Sequence, residues 1–135
     1  MALSLRFPGQ TIPMVTESVV SDGMIVVVGA ADNACALPGG ASPTSSLLGV
    51  IYRPDGSSAA VGDTVDVILS GVYPVVAGGT ITANDLITSN GTDGTAKTET
   101  ASAGTNVGVL GPALEDGVSG DRVATIINPF IKQGG

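Results

Sequence analysis

The sequence has 135 residues, and its 20 glycines and 8 prolines argue against a helical bundle because both residue types disfavour helix interiors. The formal net charge is −7, and the 5 Lys and Arg residues are scattered, which argues against nucleic-acid binding because a phosphate backbone needs clustered cations. The sequence has no His or Trp and one Cys, which excludes a histidine-based triad, a histidine metal site and a disulfide framework.

The apolar residues are mainly of the kind that forms strands. The β-branched residues Val, Ile and Thr are abundant, and hydrophobic residues make up 43% of the chain, which is typical of a globular protein. The longest apolar run, Met24–Val28, is far shorter than the ~20 residues of a membrane helix, and Met1–Phe7 lacks the continuous apolar region of a secretion signal. We therefore expect one soluble β domain that is made in the cytoplasm and does not bind a membrane.

The N-terminal segment has the pattern of an extended arm. Leu3, Leu5 and Phe7 alternate with polar residues, and a Pro-Gly step separates them from Ile12. Such an arm cannot bury both of its faces by itself. It either covers the sheet of its own subunit or adds to a strand of a neighbour, and the pattern leaves both options open. We divide the chain into an arm at 1–20, a single β domain at 21–128 and a flexible tail at 129–135.

The rest of the chain predicts short strands separated by turns and by a Gly- and Pro-rich loop at 32–46. One helical turn at 112–116 is the best helix candidate, and Gly117 stops it. Short strands at this spacing predict an all-β fold, either a small β-barrel or a sandwich. The predicted strands are Met24–Val28, Leu47–Tyr52, Thr64–Leu69, Gly71–Val76, a short strand or pair within Thr80–Thr88, Ala96–Thr100, Val107–Leu110 and Arg122–Ile127.

Two passages share a strand, turn, strand pattern, which predicts an internal pseudo-repeat. Gly49 lies in Leu-Gly-Val-Ile, and Gly108 lies in Val-Gly-Val-Leu. A Gly-Asp pair precedes the next apolar strand in each passage, at Asp63 and at Asp121, so the spacing between the copies is nearly constant. The two aspartates could form a metal or catalytic site, or they could close equivalent turns. We favour turns, because neither passage supplies a third ligand or a base.

Other reactive groups lack the partners that catalysis needs. Cys35 has no basic neighbour in sequence and is best explained as a small packing residue. The Gly-rich segments lack the Lys-Ser or Lys-Thr of a phosphate loop, and the Ser residues lack a His base. We therefore predict a protein that is not an enzyme, with no catalytic, cofactor-binding or metal-binding residues.

Two stretches resemble the small capsid decoration, or cement, proteins of tailed bacteriophages. The first runs from Gly62-Asp63 through Gly71–Val75 to Ile81–Ile87, and the second comprises Val107–Glu115 and Gly120–Val123. Together they fall within Gly49–Ile127. Members of the family usually have a glycine where this chain has Asn84, a residue that also tolerates left-handed backbone geometry.

The resemblance implies a structural protein on the outer surface of an icosahedral capsid, commonly a trimer, that bridges major capsid protein subunits and stabilises the shell. On that basis Leu3, Leu5, Phe7 and Ile12 are expected to contact the capsid or a neighbouring subunit. The alternatives are another virion component, such as a head fibre base or a tail-associated β domain, and a bacterial surface binding module. The resemblance implies no cofactor and no nucleic-acid partner.

Overall fold

The computed structural model describes residues 6–40, 43, 45–100 and 104–133. All regular structure in this part of the chain is β, which confirms the predicted all-β class, and no helix there could cross a membrane. The strands are β1 Phe7–Pro8, β2 Thr11–Thr16, β3 Ile25–Val28, β4 Ala34–Ala36, β5 Gly49–Tyr52, β6 Thr64–Ile68, β7 Gly71–Val76, β8 Leu86–Ser89, β9 Ala96–Thr98, β10 Asn106–Val109, β11 Gly111–Pro112, β12 Arg122–Ile127 and β13 Phe130–Gln133.

The first half of the chain forms a closed five-stranded barrel in the order β2-β4-β3-β5-β6. The pairs are antiparallel except for β2 with β4, which run parallel. Side chains that alternate along these strands fill the barrel with small aliphatic groups, as expected for a barrel of narrow bore. The buried cluster here comprises Val26, Cys35, Ile51, Val65 and Val67 from the strands, together with Val20 and Ala59, which form an isolated bridge outside them.

The second half repeats the register of this barrel. The antiparallel pair Thr11↔Ile68 corresponds to Val72↔Ile126. The parallel contact of β2 with β4 corresponds to the parallel bridge Ala77↔Ala96. The strands β7, β9, β8, β11 and β12 therefore follow the same cyclic order, and the predicted pseudo-repeat is confirmed in three dimensions.

The structure corrects one residue pairing within the repeat. A Cβ added to Gly49 would collide with the carbonyl oxygen of Ile68, and a Cβ added to Gly111 would collide with that of Ile126. Gly111 is therefore the counterpart of Gly49, and the predicted partner, Gly108, lies in β10 instead. The error arose because Val-Gly-Val at 107–109 matches the letters of the first passage better than Gly-Pro-Ala at 111–113 does.

The Gly-Asp pairs close identical turns. The amide of Asp63 donates to the carbonyl of Ala60 (3.0 Å), and the Asp63 carboxylate accepts from the amide of Ala60 (2.9 Å). Asp121 repeats both bonds with Val118 at 2.9 Å each. Gly62, inside the first turn, has a φ of 95°. The turn interpretation of the two aspartates is confirmed, and no group of three metal-ligating side chains occurs within the described ranges.

A third turn of this kind lies at 82–85. The amide of Asp85 donates to the carbonyl of Thr82, and the Asp85 carboxylate accepts from the amide of Thr82, each at 3.0 Å. Asn84 occupies the glycine position with a φ of 77°, because asparagine tolerates left-handed geometry better than most residues with a side chain do.

The N-terminal segment forms one ladder that joins the two halves. Phe7↔Val72 on β7 continues without a break in register to Val15↔Thr64 on β6. Between these strands, the amide of Gly9 donates to the carbonyl of Ser70 (2.8 Å). The described part of the predicted arm therefore lies on its own chain, which is the first of the two options, whereas residues 1–5 lie outside the described residues.

The structure differs from the predicted element map at several places. The expected loop at 32–46 contains β4, the expected helical turn at 112–116 begins in β11, and the expected flexible tail at 129–135 contains β13, with 134–135 outside the described residues. β13 pairs with β10 along its full length. Short strands with Pro and Gly next to them carry little signal in sequence, and their partners here are distant in the chain. The boundaries of the arm, the β domain and the tail stay a prediction.

Gly62→Ala tests whether the repeated turn depends on left-handed backbone geometry. A Cβ at Gly62 meets no atom within 4 Å, so the cost comes from the backbone alone, and we expect the free energy of unfolding to fall by about 1 kcal/mol. Gly79→Ala is the matched control, since its Cβ is equally unobstructed but its φ is not positive. Chemical denaturation should show little loss in the control, and equal losses in both variants would contradict the account.

Candidate functional site

The structure separates the residues that were predicted to make contacts. Phe7 lies in β1 and is 66% exposed, the highest exposure among the large hydrophobic residues described. Ile12 is half-buried in β2, on the same face as Met14, which packs against the interior of the first barrel. Leu3 and Leu5 lie outside the described residues. Phe7 and Ile12 therefore do not share a surface, and of these two it is Phe7 that is presented to solvent.

An exposed apolar row crosses the sheet formed by β1, β7 and β12. Phe7 pairs with Val72, and Val72 pairs with Ile126, so the three side chains lie side by side on one face. Ile126 is 36% exposed and Val72 is half-buried. We call these three residues the apolar row. The opposite face of the same sheet is buried, with Tyr73 and Ile127 in the core that both halves share.

The second phenylalanine is also exposed, and it lies close to the same end of the sheet. β13 follows β12 after a short connection, and it starts with Phe130 (39% exposed) and Ile131 (49% exposed). The chain has two Phe residues and both are at the surface, so its few large aromatic side chains do not all serve the core. Sequence reasoning missed Phe130 because it was assigned to the tail. The scarcity of Phe in the chain could have pointed to Phe130.

A polar cluster holds the sheet against the first half. The carboxylate of Asp22 accepts from Tyr73 Oη (2.8 Å), from Arg122 Nη2 (2.8 Å) and from the amide of Arg53 (2.7 Å). Asp22 is 8% exposed, and it precedes β3 in the first half, whereas Tyr73 and Arg122 belong to β7 and β12. The sequence contained no sign of this cluster, because its members are far apart in the chain.

Gly23 is the residue that lets the cluster form. Its φ is +82°, and a Cβ at this position would meet the guanidinium group of Arg122 and, at 3.0 Å, the carbonyl oxygen of Pro74. Arg122 Nη2 also donates to that carbonyl (2.9 Å). The backbone of the first half therefore approaches β7 more closely than any residue with a side chain would permit.

Tyr73 is the aromatic centre of this region. It is fully buried, its ring meets that of Tyr52 edge to face with the centroids 5.5 Å apart, and Arg6 Cζ lies 5.6 Å from its centroid. Burial, followed by the hydrogen bond to the Asp22 carboxylate, raises the pKa of Tyr73 to about 12. The phenol therefore stays protonated and donates to Asp22 at neutral pH.

The described residues offer few groups that could take part in catalysis. We detect no pocket there, and Cys35 is buried inside the first barrel, where desolvation raises the pKa of its thiol. Three carboxylates accept hydrogen bonds from backbone amides, and these bonds lower the pKa values of Glu17, Asp55 and Asp93. The apolar row is therefore the candidate functional site, and its chemistry is that of a contact surface.

Comparison with known proteins identifies the family. The sequence profile described as phage cement protein matches residues 7–127. The chain belongs to the phage cement protein family. This confirms the resemblance found in the sequence, and the matched range begins at Phe7 of the apolar row and ends at the last residue of β12.

A solved structure shares the fold of this cement-family chain. It is the crystal structure of the head fiber gp8.5 N base in bacteriophage phi29, with 22% sequence identity and a TM-score of 0.65. The match covers 88% of this chain and 93% of that one. No match was found among curated proteins. At this level of identity the likeness shows a common fold for the two proteins.

Tyr73→Phe tests the polar cluster. Because the folded pKa is raised above the ordinary value of 10, the contribution of Tyr73 to stability is complete below pH 10 and is lost as the pH rises through about 12. Ultraviolet titration should show a phenolate step near pH 12 that Tyr73→Phe removes and Tyr52→Phe keeps. At pH 7 the loss of the hydrogen bond should lower the free energy of unfolding by about 1–3 kcal/mol. A step near pH 12 in Tyr73→Phe would contradict this assignment.

Proposed function

We propose that this chain decorates the outer surface of an icosahedral phage capsid as a homotrimer, and that it stabilises the shell by bridging neighbouring major capsid protein subunits. The observation that carries the proposal is the family match over residues 7–127. A structural role of this kind requires no catalytic group and no cofactor. It requires surfaces that bind protein and a fold that keeps them rigid.

The apolar row supports a protein partner. The strands β1, β7 and β12 carry a single charged residue, Arg122, although the chain as a whole has a net charge of −7. An apolar face without acidic residues loses little on being desolvated, and an exposed aromatic side chain is the usual anchor of a protein interface. We therefore assign the contact with the shell to Phe7, Val72 and Ile126.

The four contact residues predicted from sequence have different places in this proposal. Phe7 is the anchor. Leu3 and Leu5 continue its alternating pattern toward the N-terminus, and they remain in the proposal as residues that extend the contact. Ile12 lies on the inner side of β2, so its proposed part is to support that strand and not to touch the capsid.

A head fibre base is the second candidate, since a solved protein of that description has the same fold. The two proposals differ in copy number. If the chain is a decoration protein, quantitative mass spectrometry of purified particles should find many copies, one trimer at each position where it bridges shell subunits. A few copies per particle would favour the fibre base or a tail-associated component and would overturn the decoration proposal.

Binding to capsids that lack this protein tests the apolar row. Phe7→Ser and Ile126→Ser should each weaken binding at least about tenfold, because removal of a buried interface anchor costs about 2 kcal/mol or more. Point variants are preferable to deletion of 1–13, which would also remove half of β2 from the barrel. The control is Val28→Ser, which alters an equally exposed valine (65%) on β3.

Thermal unfolding should first show that all three variants fold. Loss of binding in the Phe7 and Ile126 variants, with retention in the Val28 variant, is the expected result. Wild-type affinity in both row variants would show that the capsid contact lies elsewhere on the molecule.

A further inference from the structure

Two short strands, β1 and β13, each have a free edge. β1 pairs with β7 and β13 pairs with β10, and no strand among the described residues pairs with the other side of either one. Both strands lie at the surface, and Phe7, Pro8, Phe130 and Ile131 are exposed. A free edge presents unpaired N–H and C=O groups that bind another strand readily. Each of the two edges is therefore a place where a second chain can add a strand.

The backbone groups of Ile131 point out of the free edge of β13. Ile131 lies opposite Gly108 on β10. The Gly108 amide donates to the carbonyl of Pro43 (2.7 Å), and the Gly108 carbonyl accepts from Thr88 Oγ1 (2.7 Å). Ile131 and Gly108 thus form a non-hydrogen-bonded pair of the antiparallel ladder, in which the backbone groups of the two residues point away from each other. The N–H and C=O of Ile131 are therefore directed at the open side of the strand.

β13 lacks the features that keep an edge strand from pairing. Natural proteins block free edges with charged side chains, proline or bulges. The charge of Lys132 is compensated, because its ammonium group binds the carboxylate of Glu99 (2.7 Å), whose side chain is 5% exposed. β13 contains no proline, and it pairs with β10 over all four of its residues without a bulge. The edge is therefore open to a further strand.

The outer edge of β1 offers the complementary group. The amide of Gly9 donates to the connection between β6 and β7 (2.8 Å), and the carbonyl of Phe7 lies so close to Gly71 that a Cβ there would collide with it. Both groups therefore face inward, and the carbonyl of the intervening residue, Pro8, is directed outward. Pro8 has no N–H to leave unpaired. A partner strand needs to supply one donor at this position, and the free amide of Ile131 is such a donor.

We propose that β13 of one copy pairs with the outer edge of β1 of a second copy, with the Ile131 amide donating to the Pro8 carbonyl. The proposal rests on the homotrimer proposed above and adds the surfaces that join its subunits. Because the two edges are different, the contact is head-to-tail, and a head-to-tail contact that closes forms a ring. The added strand lies beside Phe7 in the plane of the sheet, so the face that carries the apolar row stays open to the shell.

Engineered cysteines test this pairing directly. Opposed residues of an antiparallel pair have Cα atoms about 5.5 Å apart, which is within the reach of a disulfide. The full chain with Pro8→Cys and Ile131→Cys together should form covalent trimers on mild oxidation, in solution or on decorated capsids, as seen by nonreducing electrophoresis. Each single variant is a matched control and should form no crosslink, because a head-to-tail contact brings unlike positions together. Cys35 is buried and should not react.

Ile131→Pro tests the same edge without a crosslink. It removes the outward N–H and leaves the bonds between β13 and β10 in place, so native mass spectrometry should show trimer association weakened at least about tenfold. Ile131→Thr is the control, since it keeps the N–H and a β-branched side chain, and it should assemble much more like the wild type. Thermal unfolding checks that both variants fold, and the cysteine variants decide the matter if the proline variant does not.

The outcomes separate this inference from the homotrimer on which it rests. Disulfide-linked dimers of Ile131→Cys alone would show that β13 pairs with itself, and they would overturn the head-to-tail contact. A trimeric wild type whose double-cysteine variant forms no crosslink would also overturn the contact, while it would leave the homotrimer in place. A wild type that is monomeric both in solution and on capsids would overturn the homotrimer itself.

Discussion

The carboxylate of Asp22 is the point at which the two halves of the chain are tied together. It comes from the first half and accepts hydrogen bonds from Tyr73 and Arg122 of the second half. A buried carboxylate with fewer partners would be costly, so this contact fixes how β7 and β12 lie against the barrel. The sheet that carries the apolar row is built on those two strands. The rigidity of the proposed binding surface therefore depends on the hydrogen bonds that Asp22 accepts from Tyr73 and Arg122.

Duplication of one five-stranded unit explains most of the remaining architecture. Equivalent turns at Asp63 and Asp121 use the carboxylate to hold the turn backbone, and Asp85 does the same in a third place. Much of the acidic character of the chain is thus located in turns, at the ends of the strands. The sheet walls are left nearly uncharged, which suits a protein whose sides must be covered by other proteins.

Local patterns predicted the fold class and the repeated Gly-Asp turns, because each depends on residues adjacent in sequence. They failed where long-range pairing decides the outcome. The counterpart of Gly49 is Gly111 because both glycines lie against the carbonyl of an isoleucine on the next strand, which no letter match can reveal. The cluster around Asp22 was also missed, because its members are far apart in the chain. Phe130 was missed because its strand, β13, forms by pairing with β10, which is distant in sequence.

The central claim is that this cement-family protein meets the capsid through the apolar row. The most direct measurement is a cryo-electron microscopy reconstruction of decorated particles at a resolution that shows side chains. The account predicts that Phe7, Val72 and Ile126 lie against the major capsid protein. A reconstruction in which the apolar row faces solvent while another surface of the chain contacts the capsid would contradict it.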